Sequence, residues 1–308
     1  MRIRCTRGLA IHTFHGNFFV RSTDLLVLPN VNPDAGFGMQ VAIEDSLTDS
    51  GTVCFQAAIL YTSSRGERRI RIHTYCLPVV KSAMDLINGA DQEAVVGLVA
   101  KMAVERTTMN SLKEAKDALF NVAVDYIQAY GQILTSSNKV SLMSPYSLRL
   151  IPLYILALMK SLAFRFGANV KLDDRVYAMN LMKTMPLKFL MLVIYPNLYA
   201  IHNLDDKKVS VDSETEICIP PRHQLSSENI DRHGIYVMDC GEAIYMWIGR
   251  SVNDRFLQQL FDVKSFNELP DHSSDLPELD NELSERVRNF LVYLYESRPF
   301  GPSFVYFK

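Results

Sequence analysis

Alternation of apolar and polar positions dominates the first quarter of the chain. Met39, Val41 and Ile43 alternate with Gln40, Ala42 and Glu44, the period of a strand with two unlike faces. Val53 to Tyr61 is rich in β-formers, Thr62-Ser63-Ser64-Arg65-Gly66 breaks the run, and Arg68 to Leu77 resumes it. In the second run Ile70, Ile72 and Thr74 fall on one face and Arg69, Arg71 and His73 on the other. The pattern predicts a hairpin with a dry face and a basic face. Pro29, Asn30, Asn32, Pro33 and Gly36 mark a turn-rich loop ahead of it. The cluster of Phe14, Phe18 and Phe19 is expected to be buried.

From about residue 78 the period lengthens. Ser111-Leu112-Lys113-Glu114 is a capping box. Behind it Ala115, Leu119, Val122, Tyr126 and Ala129 form one apolar stripe of a helix. Asp91 is placed to cap a neighbouring helix carrying Val95, Leu98, Val99 and Met102. Pro152 and Pro186 suit first turns of helices, and Pro196 ends the last one. Successive amphipathic helices with short connections predict a helical domain. Residues 203–216 are polar and charged and read as an exposed linker. Beyond them both periods mix. Ile235–Met238 and Ala243–Ile248 are short strands around the tight turn Asp239-Cys240-Gly241-Glu242. Arg255–Phe261 and a longer stretch through Leu283, Val287, Phe290, Leu291 and Leu294 are helices, and Ser303–Phe307 is a strand. Trp247, the only tryptophan, is expected in the core. The fold class expected is multidomain α+β: a partial β-sandwich (1–77), an all-helical domain (78–200), then a linker and a small α/β domain (201–308).

Composition narrows the function classes. Apolar residues make up 48% and charged residues 21% of the 308 residues, which disfavours a disordered or coiled-coil chain. The net charge of −2 gives no global footprint for nucleic acid. Cys5, Cys54, Cys76, Cys218 and Cys240 are scattered and form no CxxC, so a disulfide framework or zinc site is not expected and a reducing cytosol is the simpler setting. Met1-Arg2-Ile3-Arg4 opens no signal peptide. The best apolar run, Leu150 to Met159, is about half of the ~20 residues that span a bilayer.

Catalytic signatures are missing: no GxxxxGK[ST], HExxH or GxSxG occurs. Gly36-Phe37-Gly38 begins like a dinucleotide fingerprint but leads into a strand. His12 and His15, three apart on a strand, point to opposite faces and read as ordinary, partly exposed histidines. Asp271, Asp275, Glu278, Asp280 and Glu282 lack the turn glycine of a calcium loop. The exposed feature with most chemical content is the basic strand, where Arg65, Arg68, Arg69 and Arg71 suit an acidic peptide or an anionic membrane surface. The competing expectation is a solvated sheet face whose charges discourage edge pairing.

Two stretches carry a resemblance. The first is Gly16-Asn17-Phe18-Phe19-Val20-Arg21-Ser22-Thr23-Asp24-Leu25, followed by Arg68-Arg69-Ile70-Arg71-Ile72-His73-Thr74. The second is Gly234-Ile235-Tyr236-Val237-Met238-Asp239-Cys240-Gly241, followed by Tyr245-Met246-Trp247-Ile248-Gly249, which resembles a gelsolin-like repeat. Together, and in this order, they resemble the cargo-adaptor subunits of the COPII inner coat. The resemblance implies the later part of a β-sandwich, a helical domain and a C-terminally truncated gelsolin-like domain, with the family's zinc finger and trunk outside the chain. It implies no catalysis and no cofactor in this segment. It implies binding to the partner subunit of the inner coat through parts of the protein outside this chain. It also implies docking of cytosolic tails of cargo and SNAREs, and peripheral contact with the ER membrane. Leu9, in Arg7-Gly8-Leu9, matches a leucine associated with a cargo pocket, and Arg69 and Arg71 are the candidate basic surface. The alternative is a gelsolin-type actin-binding regulator, supported by residues 217–308 alone.

Overall fold

The computed structural model describes all residues except 23, 48–50, 135–143, 168, 205–209 and 212–216. The chain forms two compact units, Met1–Leu190 and Met191–Lys308.

The first unit opens with strands β1 (Arg2–Cys5), β2 (Leu9–His15), β3 (Phe19–Ser22), β4 (Leu25–Val27), β5 (Gly38–Ile43), β6 (Thr52–Thr62) and β7 (Arg68–Pro78). Five of them make one antiparallel sheet in the order β3-β4-β1-β6-β7, and β2 pairs with β5 separately. The β6–β7 hairpin turns at Gly66, whose φ of 81° is the left-handed conformation that glycine adopts at least cost.

Register assigns the faces. Ile3 lies opposite Ala57, Val53 opposite Leu77, Ile59 opposite Arg71, and Ile3, Leu26 and Val53 are buried. The inner face of β7 therefore carries Arg69, Arg71 and His73. Ile70 and Ile72 lie with Leu60 and Ala58 on the outer face, and are 68% and 57% exposed. The expected dry face is thus exposed, and so is the other, since every residue of β7 is exposed. Alternation in β7 told two faces apart, but the choice between them is made by β6, whose Val53 and Ile59 share the side of the buried Ile3. Phe19 also departs from expectation at 69% exposed, since it lies opposite Val27 on the same outer face. Phe14 and Phe18 do meet, edge to face at 6.1 Å between ring centroids.

Helices α1 (Ala83–Asn88), α2 (Gln92–Met109), α3 (Leu112–Leu134), α4 (Ile151–Lys160), α5 (Leu172–Thr184) and α6 (Leu187–Ile194) follow. The start signals act as expected. Asp91 accepts from the amides of Glu93 (2.9 Å) and Ala94 (3.3 Å). Ser111 and Glu114 exchange backbone-to-side-chain bonds of 2.9 and 3.3 Å. Pro152 sits in the first turn of α4. Helix α2 is the centre, in contact with α3, α4 and α5. Its buried side is Val96, Gly97, Ala100, Lys101, Ala103 and Val104, not the stripe of larger residues expected, and Val95 and Met102 stay partly exposed. Small residues win that side because neighbours approach closely: a Cβ on Gly97 would stand 2.4 Å from Leu187 Cδ1.

The C-terminus of α5 is closed by donors from outside the helix. Lys101 Nζ donates to the carbonyls of Met182 (3.2 Å), Lys183 (2.9 Å) and Met185 (3.0 Å). The Gly36 amide donates to Thr184 O at 2.6 Å, and the Met185 amide to Leu181 O at 2.8 Å. A side chain from α2 and a backbone amide from the loop before β5 so quiet the carbonyls that a helix end leaves unpaired.

The second unit is built on a six-stranded sheet in the order β11-β8-β12-β13-β15-β14. Its strands are β8 (Asn197–Ala200), β11 (Arg222–His223), β12 (Ile235–Asp239), β13 (Ala243–Ile248), β14 (His272–Ser273) and β15 (Ser303–Phe307), with β9 (Ser210–Val211) and β10 (Cys218–Ile219) as a separate pair. Helices α7 (Asp254–Phe261) and α8 (Glu282–Glu296) complete it. Residues 197–200, expected at the end of the helical zone, form an interior strand between β11 and β12. Pro196 breaks the helix, and Leu198, Tyr199 and Ala200 are buried, as on a strand covered on both faces. Most of the expected linker at 203–216 lies outside the described residues. The core gathers Ile235, Val237, Ile244, Met246, Leu257, Val287, Phe290 and Leu294.

Lys101→Met keeps the aliphatic bulk and strands three carbonyls, and is expected to cost about 3 kcal/mol. Hydrogen exchange at α2 and α5 amides reads the loss. Burial also pulls the Lys101 ammonium from 10.5 down to about 8. Between those pH values the unfolded chain holds more protons, so this group makes the first unit gain stability as pH rises from 8 to 10.5. The same exchange measurement repeated across that window should lose this contribution in the variant.

Candidate functional site

The three residues singled out from sequence occupy different places. Leu9 begins β2, half-buried, opposite Ile43. Its amide donates to Thr6 O at 3.2 Å, and its carbonyl accepts from Cys5 Sγ at 3.2 Å. The preceding Gly8, at φ 92°, makes the turn into the strand. Arg69 and Arg71 share the inner face of β7 but differ in role. Arg69 is tied to its neighbour Glu67, with Nε 3.0 Å from Oε2, and both side chains are about half exposed. Such an exposed pair contributes little to stability.

Arg71 lines a cavity of about 510 Å³. Its walls are Ala57, Ile59 and Tyr61 of β6, His73 of β7, and Val31, Pro33 and Phe37 of the turn-rich loop, with Met1 at one end. Neither Leu9 nor Arg69 lines it. The arrangement is one guanidinium and one imidazole over mostly apolar walls. It suits an extended peptide that presents an apolar side chain and a carboxylate, with the cation selecting and the walls binding.

A second cavity, of about 440 Å³, lies between the β2–β5 pair and helices α2 and α3. Val99, Met102, Ala103, Met109, Leu119 and Val122 line it, and His15, Gln40 and Glu105 close one end. His15 corrects the sequence expectation, being 3% exposed. Its Nδ1 bonds Glu105, and Gln40 Nε2 lies 3.0 Å from its Nε2. Read from that pattern, the amide donates to Nε2 and the ring proton sits on Nδ1, donated to the carboxylate. Lys183 Nζ holds the other Glu105 oxygen at 3.1 Å. Nothing local signals this cluster, because its partners lie 25 and 90 residues away. His12 is exposed and bonds Thr13. Among the described residues no group of three His, Cys, Asp or Glu side chains is placed to hold a metal.

In the second unit the Asp239-Cys240-Gly241 turn closes as expected. Gly241 takes φ 87°, and Asp239 Oδ1 accepts its amide at 3.0 Å. Sequence reading missed the turn's anchor. Arg298, just past α8, is buried and bidentate on Asp239, with Nη1 3.0 Å from Oδ1 and Nη2 2.6 Å from Oδ2. Its Nε donates to Leu294 O at 3.0 Å. This guanidinium is spent on holding the turn to the helix end. Trp247 is partly buried, stacked on Tyr236 at 5.9 Å between centroids and packed near Leu198 and Ala200.

Comparison with known proteins follows the same order of domains. Residues 1–80 match the Sec23/Sec24 beta-sandwich domain, 91–192 the Sec23/Sec24 helical domain, and 218–291 the gelsolin repeat. The architecture is therefore that of a Sec23/Sec24-type chain. Human protein transport protein Sec24B is 51% identical over 302 residues, which is 98% of this chain and 24% of the relative. The Sec24 protein of Aspergillus niger is 38% identical over 291 residues, 94% of this chain and 32% of the relative. The crystal structure of the human COPII-coat protein Sec24c superposes with a TM-score of 0.83 at 29% identity, covering all of this chain and 40% of that one. The chain belongs to the Sec24 family and spans 24% and 32% of the length of these two curated relatives. Its gelsolin repeat stands in the family's own domain order, which removes the ground for an actin regulator.

Removing Arg298 leaves a buried carboxylate without its partner. Arg298→Met is expected to destabilise the second unit by about 3–5 kcal/mol. Since Trp247 is the only tryptophan, its fluorescence in a urea titration reports that unit alone.

Proposed function

We propose that this chain is the sandwich, helical and gelsolin-like portion of a cargo-selecting subunit of the COPII coat, acting by binding in ER-to-Golgi transport. The observation that carries the reading is the 51% identity to Sec24B running through 98% of the chain without a break in domain order. No chemistry is asked of the chain. It holds no cofactor in this reading, and its guanidinium and imidazole groups serve recognition and structure. Its setting is the cytosolic face of the ER membrane and the vesicles leaving it. No helix among the described residues is long and apolar enough to cross a membrane. The partners are the other subunit of the inner coat and the cytosolic tails of cargo and SNAREs.

Within this reading the wall of the Arg71 cavity is the best placed recognition surface in the chain. Tails with an apolar residue near an acidic one would lay the first against Ile59 and Phe37 and the second near Arg71. Leu9 stands apart on β2, so its contribution would be to a separate contact.

Binding of acidic ER-export peptides to the full-length protein, followed by fluorescence anisotropy, tests this. Arg71→Ala should weaken capture about tenfold and flatten its salt dependence, in line with the loss of one well-placed charge. Arg69→Ala should change it less than twofold, as expected for a solvent-screened charge. Leu9→Ala is expected to leave acidic peptides unaffected and to weaken purely apolar signals. Equal capture by wild type and Arg71→Ala would remove the assignment of the cavity, and absence of capture of every export peptide would remove the function.

A further inference from the structure

Cys54 and Cys76, 22 residues apart in sequence, face each other across the β6–β7 hairpin with their sulfurs 2.7 Å apart. Register decides what that contact can become. The Cys54 carbonyl accepts the Thr6 amide at 3.0 Å, and the Cys54 amide donates to Thr6 Oγ1 at 2.8 Å. Both backbone groups of Cys54 are thus spent on the β1 side. Opposite Cys76 it forms a non-hydrogen-bonded pair, whose Cα atoms stand about 4.5 Å apart with side chains turned toward each other. That spacing lies inside the range of about 4.4–6.8 Å that disulfides adopt. The pair sits on the outer face of the sheet with Gln56 and Thr74, and Cys76 is exposed. Cys5 lies opposite Phe55 on the inner face of the same sheet, and Cys218 and Cys240 belong to the other unit.

We infer that Cys54 and Cys76 form a reversible cross-strand disulfide, a redox modification site that fastens β7 to β6. Glutathione disulfide is the oxidant. The Cys76 thiolate attacks one glutathione sulfur, forming a mixed disulfide and expelling a glutathione thiolate. Cys54 then loses its proton and attacks the Cys76 sulfur, expelling the second glutathione. Two protein thiols are oxidised, one glutathione disulfide is reduced to two glutathiones, and the two protons released go to the leaving thiolates. The order follows from access, since Cys76 is the more exposed of the two residues, and from the hydrogen bond to Cys76, which holds the Cys54 thiol above the usual range. A solvent-exposed disulfide of this kind is readily reduced again, which suits a switch better than a permanent staple. The remaining thiols have no such partner, and burial beside Asp239 pushes Cys240 up to about 11.

The test equilibrates the full-length protein with excess glutathione disulfide, quenches in acid, unfolds, alkylates and maps peptides by mass spectrometry. The expected product is one cross-linked peptide pair joining Cys54 to Cys76 and lighter by two hydrogens, with Cys5, Cys218 and Cys240 alkylated as in the reduced protein. In the Cys54→Ser variant Cys76 should stop at the mixed disulfide with glutathione. Hydrogen exchange at the β6–β7 amides that open locally should slow by roughly a hundredfold on oxidation of the wild type. Full alkylation of both thiols, separate glutathione adducts on each, or linkage of either to another cysteine would overturn the assignment. These outcomes do not depend on which peptides the protein captures.

Discussion

A single buried ammonium holds the first unit in register. Helix α5 ends inside the protein, where bare carbonyls would each cost about 1–3 kcal/mol. Lys101 answers three of them from the middle of α2, and the Gly36 amide answers another. The approach is tight enough that a Cβ on Gly36 would lie 2.1 Å from Met185 O, and one on Gly38 3.1 Å from Lys101 Cδ. The β-rich and helical parts of this unit therefore meet through backbone chemistry as well as through apolar contact. That explains why they cluster as one compact body although they match two separate domain families. It also gives the Gly36-Phe37-Gly38 stretch a role: the glycines allow a loop to seat on a helix end, and Phe37 reaches the wall of the Arg71 cavity.

What could be read from sequence was local. The Asp91 and Ser111 caps, the proline positions, the Gly66 and Gly241 turns and the paired strands around Asp239 all depend on residues within a few positions of each other. The stripe of α3 was visible in part: Ala115 and Leu119 are buried and Val122 and Tyr126 half-buried, but Ala129 is exposed and Tyr130 is buried in its place. The stripe of α2 was misjudged because a central helix packs several neighbours, and small residues such as Ala100 and Gly97 are what let them approach. The site chemistry was less legible still. His15 with Glu105, Asp239 with Arg298, and Cys54 with Cys76 are each joined by the fold across 90, 59 and 22 residues, and no spacing rule reaches that far. The family itself was legible from two short motifs, because those motifs are strands and turns that carry their own geometry.

The basic strand shows how a correct pattern can be assigned to the wrong environment. Four arginines within seven residues suggested either a contact for an acidic peptide or an anionic membrane, or a solvated sheet face. Instead Arg69 is occupied by Glu67 at the surface, while Arg71 turns toward an apolar cavity. Charge over apolar walls is a recognition chemistry, whereas charge against water is mostly solubility. The two rows of β7 therefore do different work: both are exposed, and the row holding the cations lies on the side of the sheet that carries the buried Ile3 and Val53.

This inversion also bears on how the hairpin forms. A strand is free to slip by one residue against its partner, and such a slip exchanges its faces completely. For β7 the slipped register would turn Ile70 and Ile72 inward and Arg71 outward, which burial alone would prefer. The native register is thus locally frustrated, and it is pinned by the left-handed Gly66 at one end and by the neighbours of β6 along its length. A newly made chain that closes this hairpin before β1 has docked on β6 would have reason to choose the wrong pairing first, so the order of strand assembly matters here more than the strength of any one pair.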